Sequence, residues 1–300
     1  MKKIECVIMD WAGTAVDYGC FAPVAAFLKA FAEKGLTVTM EEARGPMGMT
    51  KIDHIRELFK LPSVTEQFKQ NYNRNWTEED VVSIYKEFEK HLFASLEEYT
   101  TPIPGVIEVI EKLKRDGIKI GSTTGYTTAM MDIVLPGAAA HGYTTDNCVT
   151  SNNLPAGRPQ PYMIYQNMID LAIPSVQSVI KYGDTIADIK EGVNAGVWTV
   201  GVILGSNEMG LTQEETGKLP AEELNRRMAA VRKRMYMAGV ILGSNEMGLT
   251  QEETGKLPAE ELNRRMAAVR KRMYMAGAHY VVNTIAELPE IIEIINHKMN

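Results

Sequence analysis

Cysteine is scarce in this chain, with three in 300 residues, Cys6, Cys20 and Cys148, and no CxxC pair. An odd, sparse set cannot build a disulfide framework and fits a reducing compartment, so a cytoplasmic location is expected. Long apolar runs are missing too. The charge-free stretch Gly192 to Asn207 carries Asn194, Thr199 and Ser206 and falls short of the ~18 apolar residues of a membrane span. After Lys2-Lys3, the run Ile4 to Met9 stops at Asp10 with no small-residue cleavage site behind it, so no secretory leader is expected. Nor is there a basic block: 38 acids are spread among 32 bases for a formal charge of −6, which argues against nucleic acid as a partner. With 45% hydrophobic residues, the chain has enough apolar side chains for a sizeable core, and its length suggests about two domains.

One segment occurs twice. Gly201 to Ala238, beginning GVILGSNEMGLTQEETGKLP, is followed without a gap by the same 38 residues at Gly239 to Ala276. Stacked repeat proteins need about three units, normally diverged, so two identical copies do not make a solenoid. They read as a recent, engineered or erroneous tandem duplication. Removing one copy of 38 from the 300 residues leaves 262, taken here as the ancestral design. Within a copy, Pro220 opens a helix whose Leu224, Met228, Val231 and Met235 share one face. Its bases, Arg226, Arg227, Arg232, Lys233 and Arg234, lie on the outer face and towards the C-terminus, and read as a solvated surface.

Elsewhere short apolar runs alternate with helical patterns. Ile4 to Met9, Ile118 to Ser122, Val179 to Tyr182 and Val197 to Leu204 read as buried strands joined by helix-length segments, the signature of an α/β fold with a parallel sheet. Between the first two lies an interval that reads almost wholly helical: Pro23 to Lys34, Met49 to Lys60, Ser63 to Tyr72 and Glu78 to Leu96. This predicts a Rossmann-like core from 1–18 and 100–300 with a helical cap inserted at 19–99. Open α/β sheets bind ligands at the carboxyl ends of their strands.

Those ends carry chemistry. Asp10-Trp11-Ala12-Gly13-Thr14 follows the first strand, Ser122-Thr123-Thr124-Gly125-Tyr126 the second, and Gly183-Asp184-Thr185-Ile186-Ala187-Asp188 the third. A carboxylate there can act as nucleophile or hold a hard cation, a threonine hydroxyl can bind phosphate oxygens, and paired aspartates suit Mg²⁺. Each alone is an ordinary turn or cap signal; the ordered set is specific.

In that order the motifs resemble the haloacid dehalogenase superfamily: Asp10 as nucleophile, Thr124, a basic residue at Arg158, and the acidic pair Asp184 and Asp188. Two departures stand out. Most phosphatases of that superfamily have an aspartate two positions after the nucleophile, as acid for an alkoxide leaving group, and this chain has Ala12. The basic motif is usually lysine, and this chain has Arg158. Both departures, with Gly45-Pro46-Met47-Gly48-Met49-Thr50-Lys51-Ile52-Asp53-His54 in the helical interval, resemble the phosphonatase family. The resemblance covers the whole chain apart from the extra copy. It implies cleavage of the carbon-phosphorus bond of phosphonoacetaldehyde, a Schiff base on Lys51, an aspartyl phosphate on Asp10, and a homodimer formed through the cap. It also implies Mg²⁺ held by Asp10, the Ala12 carbonyl and Asp184, with Asp188 behind them orienting metal-bound water. Met47, Cys20, Tyr126 and Gly125 match positions around the substrate.

The chemistry fits these residues. Direct cleavage of a carbon-phosphorus bond expels a carbanion, whereas an iminium one bond away accepts the electrons as an enamine. No alkoxide then needs a proton, and Ala12 becomes an expected feature. Lys51 must be deprotonated part of the time, which burial or nearby positive charge would bring about. His54, three residues along the same helix, could move protons as the imine forms. Arg158 would clamp phosphate oxygens with its planar fork. His91, His141, His279 and His297 match nothing and are read as structural. The rival readings are a Mg²⁺-dependent phosphomonoesterase, which leaves Lys51 without a task, and a catalytically silent chain disabled by its duplication. The first copy's strand is expected to keep its place, because it continues Val197-Trp198-Thr199-Val200. The spare Val240-Ile241-Leu242 strand could compete for that place, and one copy of the helix would be carried as a surface excursion.

Overall fold

A computed structural model describes residues 3–240, 279–282 and 284–299. Five strands, β1 (Cys6–Met9), β2 (Lys119–Ser122), β3 (Val179–Gly183), β4 (Trp198–Val202) and β5 (Tyr280–Val282), form one parallel sheet in the order β2-β1-β3-β4-β5. β1 and β3 are buried along their whole length, as strands covered on both faces must be. The order reverses between β1 and β3, which opens a crevice at their carboxyl ends. The first four strands fall where the apolar runs predict them. β5 and the five-residue helix at Met40–Arg44 were not anticipated: three residues are too short for a period to register.

From Phe21 to Ser95 the described chain is helical: α1 (Phe21–Ala32), α2 (Met40–Arg44), α3 (Lys51–Phe59), α4 (Pro62–Tyr72) and α5 (Glu78–Ser95). α1 packs along α5, with Phe27 stacked on Phe88 at 4.2 Å, and Phe59 stacks on Trp76 at 5.3 Å. The chain leaves and re-enters the core side by side. Val16 bridges Pro102, and Ile103 N–H donates to the Ala15 carbonyl at 2.8 Å. At the exit, Asp17 accepts the backbone N–H groups of Phe21 (2.9 Å) and Ala22 (3.0 Å) and so caps α1.

The remaining helices α6 (Val106–Arg115), α7 (Thr128–Ala140), α8 (Tyr162–Asp170), α9 (Ile186–Ala195), α10 (Gln213–Lys218), α11 (Ala221–Val240) and α12 (Leu288–Met299) belong to the sheet-bearing part. The first repeat copy is built into it. Gly201 and Val202 pair in β4, and Val231 and Met235 of α11 pack on Ile189 and Ile203. The bases of α11 behave as a solvated surface, Arg226 and Arg227 pairing with Glu223 and Arg234 with Glu208. Val240 is the last residue of α11. The rest of the competing strand, Ile241-Leu242, and the second copy's helix lie outside the described residues. No helix among those described is long and apolar enough to cross a membrane.

Candidate active site

β1 ends at Met9, and Asp10 continues its ladder by donating its N–H to the Tyr182 carbonyl at 2.9 Å. The chain then turns sharply, the Trp11 carbonyl accepting from Thr14, Ala15 and Val16 N–H. This turn holds the Asp10 carboxylate at the crevice. Thr123 N–H donates to the Met9 carbonyl at 2.9 Å, so Thr123 and Thr124 end β2 beside it. Thr185 caps α9, its hydroxyl accepting from Asp188 N–H while the Asp188 carboxylate accepts from Thr185 in return.

From the helical side, Lys51 opens α3 and is only 5% exposed. Its ammonium nitrogen lies 5.0 Å from the Tyr126 ring centroid and 6.0 Å from that of Phe27. The loop before it seats directly on the core. A Cβ at Gly48 would meet the Thr185 hydroxyl at 2.4 Å, and one at Gly125 would meet the Met49 carbonyl at 2.6 Å, so both contacts require glycine. Asp10, Ala12, Cys20, Met47, Lys51, Thr124, Gly125, Tyr126 and Arg158 line one small cavity of about 20 Å³, room for about one water. An outer cleft of about 590 Å³ shares Lys51, Gly125, Tyr126 and Arg158 with it and reaches solvent.

Behind the cavity lies a buried charge cluster. Arg158 is held by all its nitrogens: Nη2 to Asp10 at 2.7 Å and to the Thr123 carbonyl, Nη1 to Asp188 at 3.0 Å, and Nε to Glu191 at 2.9 Å. Burial opposes its charge, but Asp10, Asp188 and Glu191 hold its pKa above the ordinary value. Lys181, fully buried in β3, pairs with Asp188 at 2.8 Å and Glu191 at 3.4 Å. Despite burial, Arg158 and Lys181 keep the Asp188 carboxyl below the usual range. Asp184 has no such partner among the described residues. Its oxygens accept from the Thr14 hydroxyl (2.9 Å) and Asn207 N–H (2.7 Å), while burial and the charges of Asp10 and Asp188 push its pKa well up.

Oxygens of Asp10, Asp184 and Asp188 lie within 4.8 Å of one another. The buried cluster sets four carboxylates, these three and Glu191, against two cations, Arg158 and Lys181. The all-oxygen donor set and the formal excess of two carboxylates over cations fit a hard divalent cation. Burial, helped by Arg158, outweighs Cys20, Asp10 and Asp17 and lowers the Lys51 pKa.

A haloacid dehalogenase-like hydrolase family matches residues 7–202. Over its full length the chain is 57% identical to a phosphonoacetaldehyde hydrolase of Bacteroides fragilis, all of which is covered, and 56% to one of Parabacteroides distasonis, 99% of each chain being covered. The chain belongs to the phosphonoacetaldehyde hydrolase family. A crystal structure of a phosphonoacetaldehyde hydrolase-like protein from Oleispira antarctica superposes with a TM-score of 0.84 at 32% identity, covering 98% of this chain and 93% of that one.

Of the residues that the family resemblance singled out, nine meet at the cavity; Asp184 and Asp188 stand behind it. His54 does not line it. One turn below Lys51, it is fully buried, donates from Nε2 to the Ala43 carbonyl at 2.9 Å and stacks on Phe27 at 3.9 Å. Burial and Lys51 hold its pKa well below the ordinary value, so it is neutral. Sequence reasoning missed Thr14, Gly48, Thr123, Lys181, Thr185, Glu191 and Asn207. Thr14, Gly48, Thr123 and Thr185 stand inside the quoted motifs but were given no role, and two of the others left a signal. Lys181 is a charge inside an apolar strand, and Glu191 follows Asp188 by three residues on one helix face.

Proposed function

We propose that the chain hydrolyses the carbon-phosphorus bond of phosphonoacetaldehyde to acetaldehyde and orthophosphate, with residues 1–18 and 100–300 as catalytic core and 19–99 as cap. The observation that carries this reading is a buried lysine of depressed pKa in the same cavity as Asp10, beside Ala12. The Lys51 amine adds to the aldehyde carbon, and the adduct takes up a proton and loses water, giving an iminium. An Asp10 oxygen attacks phosphorus; the carbon-phosphorus bond breaks and its electron pair passes into the iminium as an enamine. The enamine takes a proton on carbon, and water releases acetaldehyde and regenerates Lys51. A second water cleaves the aspartyl phosphate and restores Asp10.

Arg158 and Thr124 bind phosphate oxygens, and the fixed guanidinium spares reorganisation as charge develops. Mg²⁺ is the proposed cofactor; Asp10, the Ala12 carbonyl and Asp184 would hold it, and when bound it neutralises phosphoryl charge. Asp188, tied to Arg158 and Lys181, orients that ligand set from behind. His54, neutral and one turn away, supports Lys51 by adding no charge beside it, and a proton-moving role rests on its Nδ1, which has no hydrogen-bond partner among the described residues. Because the cavity is too small for the substrate, the cap must open for entry. The family resemblance also supports a homodimer through the cap, where Met40, Tyr72 and Val82 are exposed; sedimentation at several concentrations tests it. The reducing cytoplasm suits the three free thiols.

The test is incubation with phosphonoacetaldehyde and Mg²⁺ followed by borohydride, with mass spectrometry and acetaldehyde assay. A reduced two-carbon adduct on Lys51, absent in Lys51→Arg, is expected together with turnover. Phosphate release from ordinary phosphate esters without an adduct would instead make the protein a phosphomonoesterase.

A further inference from the structure

Arg44 and Asn207 meet where the helical segment, the chain exit from the core and the first repeat copy come together. Arg44 is the last residue of α2, directly before the loop 45–50 that brings Met47, and Lys51 at the start of α3, to the cavity. Its Nη1 donates to the Gly19 carbonyl at 2.7 Å, the Asn207 side-chain oxygen at 3.1 Å and the Asn207 carbonyl at 3.4 Å. Asn207 answers, its Nδ2 donating to the Arg44 carbonyl at 3.1 Å. The Arg44 guanidinium also sits 4.8 Å over the Phe21 ring. Asn207 is 2% exposed, and its backbone N–H is the donor that holds the Asp184 carboxylate at 2.7 Å. Gly19 N–H is in turn bonded to the Gly205 carbonyl at 2.6 Å. One reciprocal pair thus links the lysine-bearing loop to the carboxylate at the far side of the crevice.

We propose that Arg44 and Asn207 are a positioning pair that latches the cap onto the core and sets the Asp184 carboxylate when the latch is closed, and that the first repeat copy supplies it. Opening the cap must break two side-chain bonds from the guanidinium and the return bond from the amide. Closing remakes them together with the Asn207 loop against Asp184. The chain's duplication provides a control: Asn245 is the same residue in the identical second copy, outside the described residues.

The activity readout rests on the proposed reaction; a second readout does not. In the full chain, Arg44→Ala and Asn207→Ala should each lower kcat/KM about tenfold, and the double variant should lose no more than the worse single one, as expected for two halves of one contact. Arg44→Lys, which keeps one donor, should recover part of the loss. Asn245→Ala should match the parent. Hydrogen exchange should quicken at residues 19–24 and 203–211 in both alanine variants while β1 and β3 stay protected. Full activity in either alanine variant, additive losses, or an equal loss in Asn245→Ala would overturn the latch. If the alanine variants do not fold, Arg44→Lys carries the test, and unchanged exchange and kcat/KM in it would also overturn the proposal. A parent with no turnover would sink the reaction while the exchange data still decide the latch.

Discussion

Asp17 shows how one buried carboxyl couples pH to the fold. Burial raises its pKa from 3.8 to about 6, against the pull of the Phe21 and Ala22 amides, Arg44 and Lys51. Between those two values the folded state binds more protons than the unfolded chain, so this group's contribution to stability is greatest at low pH and falls as pH rises through about 6. The expected loss is on the order of 2–3 kcal/mol, and urea melts at several pH values should find a shallower slope in Asp17→Asn. Lys51 works the other way at the level of chemistry. Its lowered pKa makes the free amine available, so borohydride trapping should rise through an inflection below the ~10.4 of an ordinary lysine. Chelation should abolish phosphate release yet leave the trapped Lys51 adduct, because imine formation needs no metal.

At the scale of elements, α9 and β3 together hold Arg158. Glu191, one turn beyond Asp188, takes its Nε, and Lys181 braces both acids from the strand. Glu191→Gln keeps the shape but removes one charge from a buried cluster; kcat should fall about tenfold or more, with a smaller change in binding of orthophosphate as inhibitor, measured by steady-state kinetics. Arg158→Lys loses the fork and should cost more, since an ammonium cannot reach Asp10, Asp188 and Glu191 at once. In α11, Met235 is fully buried against Ile189 and Ile203. Met235→Ala should cost about 2–4 kcal/mol in a denaturant melt if the first copy's helix is the packed one, as its contacts require.

For the whole molecule, the question is what the second of two identical 38-residue segments contributes. The first copy is committed: it supplies part of β4, the helix face under Ile189, and Asn207. Deleting residues 239–276 leaves every described site residue in place. The 262-residue chain should keep kcat/KM within about twofold and melt no lower than the parent, because none of the described site residues belongs to the second copy and loop entropy changes only slowly with length. A large loss of activity on deletion would show that the second copy has been recruited into the fold.

Apolar runs and strand-end motifs made much legible in the sequence. Strands β1 to β4, the helical interval and the order of Asp10, Thr124, Arg158 and Asp184 follow from local patterns, since a buried parallel strand is mostly apolar and polar residues gather where it ends. β5 was not legible, being only three residues long, and neither was the setting of His54, whose partner Ala43 lies on another helix. The partners of Arg158 could not be read either. Glu191 and Lys181 meet at 3.4 Å only because the sheet and the helix after β3 bring them together. Asn207 carried no signal at all, because its contact with Asp184 joins residues 23 apart and its contact with Arg44 joins residues 163 apart. The sequence by itself determined the α/β class and the motif order and singled out the candidate reacting groups, because these depend on side-chain chemistry and short-range periodicity. Only the tertiary structure decided which charges neutralise one another, how small the closed cavity is and which repeat copy reaches the site, because those depend on distances between segments that the chain order does not set.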